Sequence, residues 1–125
     1  MELVEAVYTV TKLLPREELF GLTMQLRRAA VGIPSNVSEG HQYKGRAYRR
    51  YIIVALGCQA ECETQLELIR RLQLAPVDAV RPVMELASRV GQVLHGLARS
   101  LETKTSDERP EPSRSPNPDR LNHEL

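Results

Sequence analysis

Between Val80 and Leu101 an apolar residue recurs at intervals of 3, 4, 3, 4, 3 and 4, passing through Val83, Ala87, Val90, Leu94 and Leu97. A strand buries alternate residues, so this spacing cannot belong to one. It describes a single face of an α-helix, and its strict seven-residue period calls for a partner helix packed at about +20°. One helix cannot bury such a seam alone, so other segments must supply matching stripes.

Three do. In the first, Leu3, Val7, Val10 and Leu14 step by 4, 3 and 4. Pro15 is expected to end that helix, because proline disfavours the α conformation in the residue before it. It also suits the start of the next, where Glu17 and Glu18 meet the positive end of the dipole. The second stripe joins Leu19, Leu22, Leu26, Ala30, Ile33 and Val37. Pro34 falls inside it, at a usual cost of about 3 kcal/mol. The stripe nevertheless keeps its phase through Ala30, Ile33 and Val37, so the expectation is one kinked helix rather than two, with Gly40 as terminator after the C-cap. The third and longest stripe joins Tyr48, Tyr51, Ala55, Cys58, Cys62, Leu66 and Ile69, and Ala75-Pro76 closes it. Short connections make neighbouring helices antiparallel. The expected fold is all-α: an antiparallel up-and-down four-helix bundle.

Composition agrees with this. A length of 125 residues allows one ordinary domain, and with four Tyr, one Phe and no Trp there is little material for sandwiches or barrels. From Glu102 onward four prolines accompany only two apolar residues, Leu121 and Leu125. Such a segment cannot offset its ordering entropy. The expected organisation is a bundle domain over 1–101 and a disordered, Pro-rich tail over 102–125. The tail holds six acidic and four basic residues, which leaves +3 on the first 101 residues, well short of a dedicated duplex-DNA binder. Two cysteines are too few for a secreted disulfide scaffold, no apolar run nears the roughly 18 residues of a membrane span, and Met1-Glu2 opens no signal peptide. The expected location is cytoplasmic.

Residue types that carry chemistry are sparse. Cys58 and Cys62 stand at i and i+4, but there is no second Cys pair, and His41, His95 and His123 have no ligand spacing, so both cysteines read as small core residues. Glu61, Glu63 and Glu67 lack the E-x-x-H pairs of a di-iron bundle, and Glu63 and Glu67 read as solvated or paired with Arg70 and Arg71. No phosphate loop and no Ser/His/Asp set is present. No catalytic residue, metal or cofactor is therefore assigned, and the protein is not expected to be an enzyme.

Gly32 and Gly57 each cost a helix about 1 kcal/mol relative to alanine, which close approach between helices would explain. Near them Arg28, Ser35, Asn36, Glu39, Glu61 and Thr64 form either a buried polar network, at a subunit interface for instance, or a solvated face. Leu56, Leu68 and Val31 lie off the main seams and together would make a sticky patch on a monomer. The basic run Tyr43-Lys44-Gly45-Arg46-Ala47-Tyr48-Arg49-Arg50 opens the third helix, where cations oppose the dipole. Helix N-terminal amides beside Lys44, Arg46, Arg49 and Arg50 suit phosphate, and an exposed Tyr43 suits base stacking. The other reading is a basic patch that is solvated or paired across an interface.

The stretch Arg27-Arg28-Ala29-Ala30-Val31-Gly32-Ile33-Pro34-Ser35-Asn36-Val37-Ser38-Glu39-Gly40 resembles the signature of the 23S rRNA-intervening-sequence, or S23-like, proteins of bacteria. Gly21–Leu26 and Ala55–Leu66 are similar to that family as well. The family-motif residues here are Arg27, Arg28, Pro34, Ser35, Asn36, Glu39, Gly40, Gly57 and Glu61. The resemblance implies an up-and-down four-helix bundle that assembles as a homopentamer, with no established enzymatic activity. A distant relative, the accessory protein of diversity-generating retroelements, binds a reverse transcriptase and nucleic acid. The partners implied are thus further copies of the chain and RNA, DNA or a nucleic-acid enzyme, with no membrane and no small-molecule substrate. The competing expectation is a protein-interaction scaffold with no nucleic-acid role. The sequence departs from the family pattern where Cys58, Gln59 and Cys62 replace commoner Ser, Leu and Leu, and where Gly32 replaces Ser. Members usually carry a longer first helix with a Trp-x-Lys-Ala segment; this chain starts part-way along it.

Overall fold

The computed structural model describes residues 1–102. The expected tail over 102–125 lies outside the described residues, apart from Glu102. Four α-helices run in chain order: α1 (Glu2–Thr11), α2 (Met24–Gly40), α3 (Gly45–Arg71) and α4 (Val77–Glu102). Between α1 and α2 come a 3-10 turn over Arg16–Glu18 and a π-helical turn over Leu19–Thr23.

Side-chain contacts fix the topology. Thr11 meets Arg27, while Met1–Val4 flank the same groove as Pro34 and Val37, so α1 and α2 are antiparallel. Gln25 meets Gln65 and Gly40 meets Tyr51, which reverses α3 against α2. Gln59 meets Ala87 and Arg49 meets Ala98, which reverses α4 against α3. The bundle is up-and-down, as its seams require. The core fills from all four stripes, with Val7, Leu26, Ala30, Ile52, Ala55, Cys62, Leu66, Ile69, Val80 and Ala87 fully buried. With 10 residues against the 26 of α4, α1 spans roughly 15 Å and covers less than half of its neighbour.

Three local expectations need correction. Helix α1 stops at Thr11, four residues before Pro15; the chain tightens through Leu13 N–H to Val10 and Leu14 N–H to Thr11 bonds of 3.0 and 3.2 Å, which still deliver Leu14 to the core. Leu19 leaves the second stripe and is exposed, because Gly21 adopts non-helical angles (φ −107°, ψ −110°) and breaks the phase before α2 begins. Gly40 is no left-handed terminator. It is the last residue of α2, and a Cβ there would lie 2.5 Å from Tyr51 Cβ.

Helix α2 does run continuously through Pro34. Helix α4 likewise passes through Pro82, a second interior proline that the heptad pattern overrides. The turn after α3 is a Schellman motif: Leu74 N–H bonds to Ile69 O (3.0 Å) and Gln73 N–H to Arg70 O (3.2 Å), with Gln73 at φ 55°.

Candidate functional site

The tight turn His41–Lys44 packs its rings against α3. His41 stacks on Tyr48 with centroids 5.7 Å apart, and Tyr43 stacks on Tyr51 at 5.6 Å. Tyr43 is thus half-buried, with one ring face already occupied. Lys44 follows in an extended conformation and makes no side-chain cap, and Gly45 enters α3 with φ 59°. The first amides of α3 therefore carry no side-chain cap from Lys44.

The four cations of the run separate into two kinds. Lys44, Arg46 and Arg50 are exposed, and the two arginines also take part in interactions within the chain. Arg49 is half-buried and turned across the bundle: its Nε donates to Ala98 O at 3.1 Å and its Nη2 meets Glu102 at 3.4 Å. A guanidinium on a late carbonyl of α4 satisfies an acceptor and opposes the negative end of that helix. Arg99 follows Ala98 and is exposed, so it adds a cation to this end that the sequence run does not contain.

The family-motif residues are scattered by role. Arg27 is half-buried, donating from Nε to Thr11 Oγ1 at 2.8 Å with its guanidinium 4.5 Å from the Tyr8 ring centroid, which ties α2 to α1. Arg28 and Ser35 are exposed. Asn36 is buried, donating to Gly32 O at 2.8 Å, while its Oδ1 has no partner. Glu39 and Glu61 are half-buried and engaged within the chain. Gly57 is exposed, and a Cβ there would meet nothing within 4 Å, so close approach does not explain it in the single chain. Thr64 is exposed too. Of the polar set expected beside the glycines, Asn36 alone is fully buried; Arg28, Ser35 and Thr64 face solvent. Gly32 is buried in α2, and close packing is found at Gly40 and Gly91.

Cys58 and Cys62 are free and buried in the core, as their register requires. Burial first, then the neighbouring Cys58, Glu61 and Glu63, push the Cys62 thiol up to about 12. Hydrogen bonds from Arg70 and Arg71 hold Glu67 down at about 2. Among the described residues no three His, Cys, Asp or Glu gather as a metal site, and no helix is long and apolar enough to cross a membrane.

A family model matches most of this chain. That of the 23S rRNA-intervening sequence protein matches residues 1–96. The chain belongs to this family. A comparison with curated proteins gives no match. The match covers nearly the whole bundle, including every motif residue described above.

Apolar exposure lies elsewhere than expected. Leu56 packs against the core, and only Val31 and Leu68 of the anticipated patch are exposed. Beyond Met1, the most exposed large apolar side chains are Phe20 at 81% and Val93 at 70%. Neither follows from a stripe, since both sit on the side of a helix that the heptad reading leaves to solvent.

Proposed function

We propose that this protein is a non-catalytic, self-associating bundle whose basic end contacts nucleic-acid phosphate. The observation that carries the reading is that end itself, where the first turn of α3, uncapped by Lys44, stands beside exposed Lys44, Arg46 and Arg50 with exposed Arg99 nearby. Backbone amides and cations together suit phosphate. A family named for intervening sequences of 23S rRNA is in keeping with such a surface. Exposed Phe20, Met24 and Val93 support association, and the homopentamer implied by the family resemblance is our proposed assembly. A ring would repeat the basic end around its axis and strengthen weak contacts by multivalency. Two free buried cysteines are in keeping with a cytoplasmic setting.

The scaffold reading, with no nucleic-acid role, draws support from Arg49 and Tyr43, both used for internal packing. Retention on RNA and DNA at about 50 mM salt separates the two, since phosphate contacts weaken steeply as salt rises. Binding that falls with salt, and that disappears in the triple variant Lys44→Gln, Arg46→Gln, Arg50→Gln at unchanged helicity, is the expected result. Indifference of the unmodified protein to both polymers at that salt leaves the scaffold.

A further inference from the structure

Arg27 is a half-buried cation that no carboxylate among the described residues answers. Its Nε donates to Thr11 and its guanidinium lies over the Tyr8 ring, while its Nη groups donate to none of the described residues. Removing such a group from water without an anion beside it is unfavourable. It borders a groove of about 510 Å³ between Tyr8 of α1 and the start of α2, whose apolar walls are the exposed side chains of Leu19, Phe20, Met24 and Val31. Thr23 lines the groove as well; it is only 4% exposed, and its hydroxyl pairs with no described residue. Met1–Val4 lie further along α2, beside Pro34 and Val37, and take no part in this groove.

We propose that the groove binds a small amphipathic carboxylate, its headgroup on the Nη groups of Arg27 and its apolar body against Phe20, Leu19 and Met24. Charge fixes the headgroup: Arg27 and Arg28 both line the groove, and no Asp or Glu does. The paired Nη groups of a guanidinium match the two oxygens of a carboxylate, and the Thr23 hydroxyl supplies a further donor. The walls fix the rest of the ligand, since a hydrated inorganic anion would leave four large apolar side chains bare. From Met24 to Val31 the groove runs roughly 10 Å along α2, enough for a fused aromatic ring or a short acyl chain. Its volume is that of a small-molecule site, apolar with a few placed polar groups. This site is separate from the basic entry to α3, which lies beyond the far end of α2, and it does not rest on nucleic-acid contact.

Calorimetric titration of the full-length protein with 2-naphthoate and with uncharged 2-naphthamide reads the headgroup, and octanoate against octanamide repeats the comparison for an aliphatic body. Saturable binding of 2-naphthoate below about 1 mM is expected, with the amide about tenfold weaker. Arg27→Gln should weaken 2-naphthoate by about tenfold and leave the amide unchanged. Because that variant also loses the tie to Thr11, Phe20→Ala and Arg28→Gln provide a second test: both positions are exposed, and each change should weaken 2-naphthoate several-fold with little effect on melting. Arg81→Gln, an exposed arginine outside the groove, should leave the titration as it is. Equal affinity for acid and amide, or full affinity in Arg27→Gln and Phe20→Ala, overturns the site. So does an absence of binding at about 1 mM, including the case in which a second copy or another protein already covers Phe20.

Discussion

The carboxamide of Gln59 occupies the space that a side chain at position 91 would need. A Cβ on Gly91 would lie 2.6 Å from Gln59 Nε2, the same nitrogen that donates to Ala87 O at 2.9 Å and to Glu63 Oε1 at 2.8 Å. One buried amide thus joins α3 to the backbone of α4, and Gly91 is the gap through which it reaches.

Gly91→Ala sets two effects against each other. Alanine favours the helix by about 1 kcal/mol, but the Gln59 amide must swing away and surrender two bonds, at about 1–3 kcal/mol for a buried polar group. The expected balance is a net loss of about 1 kcal/mol, read from denaturant midpoints. In a Gln59→Ala background the obstacle is gone, and Gly91→Ala should then stabilise by about 1 kcal/mol. The same sign in both backgrounds would show that Gln59 does not fill the gap.

Gly40→Ala meets a harder obstacle. The atom 2.5 Å away is Tyr51 Cβ, which is fixed to the backbone, so α2 and α3 must separate. A loss above about 2 kcal/mol is expected, in the range of overpacked cores. Tyr51→Ala should not rescue it, because the obstructing carbon remains. Gly57→Ala, with open space around it, should raise the melting temperature through helix propensity alone. Melting curves of the three variants decide both points.

Gln73 holds the left-handed position of the Schellman turn at φ 55°, a conformation that costs a side-chain-bearing residue about 1–2 kcal/mol. Gln73→Gly removes that strain but gains unfolded-state entropy, so a net stabilisation of about 0.5–1 kcal/mol is expected from chemical denaturation.

The bundle was legible in the sequence because its seams are periodic and their partners hydrophobic: the stripe from Ala55 to Ile69 is buried, and that from Val80 to Leu101 is buried except at Val90 and Leu97, which pack half-buried against the core. Two interior prolines did not mislead, since tertiary packing of both stripes outweighs one missing backbone bond each. What spacing cannot convey is where helices come closest. Gly40 and Gly91 pack tightly and Gly57 does not, a distinction set by interhelical distance rather than by local pattern. Nor does a basic run disclose that Arg49 reaches a carbonyl on a helix 49 residues away.

Cys62 makes stability pH-dependent on the alkaline side. Its thiol rises from an ordinary 9.0 to about 12 in the fold, so the folded state holds a proton that the unfolded chain releases. The contribution is complete below pH 9 and is lost as pH climbs from there through about 12. Denaturation midpoints should fall over that window, and less so in Cys62→Ala measured against its own value at pH 8. At pH 8 a thiol reagent should label Cys62 only at the rate of unfolding, since the reactive thiolate is both scarce and buried.

Arg49 and Arg50 are neighbours in the same basic run and should fail differently. Arg49→Gln loses the bond to Ala98 O and the pairing with Glu102, so the end of α4 is expected to fray and stability to fall by about 1 kcal/mol. The exposed ion pair contributes little of that; most comes from the lost charge-assisted bond that ties α3 to the Ala98 carbonyl. Arg50→Gln removes an exposed cation from the rim of α3 and, with its own interaction in the chain weakened by solvent, should shift the melting temperature by less. If the basic end binds phosphate, the order reverses for RNA retention near 50 mM salt: Arg50→Gln weakens it and flattens its salt dependence, by about one phosphate contact per copy. Arg49→Gln should then leave that slope nearly unchanged at temperatures well below its melting point. Equal loss of retention in both variants would mean that the arginines act through a common structural effect, and the distinction between a tie within the bundle and a contact outside it would fall.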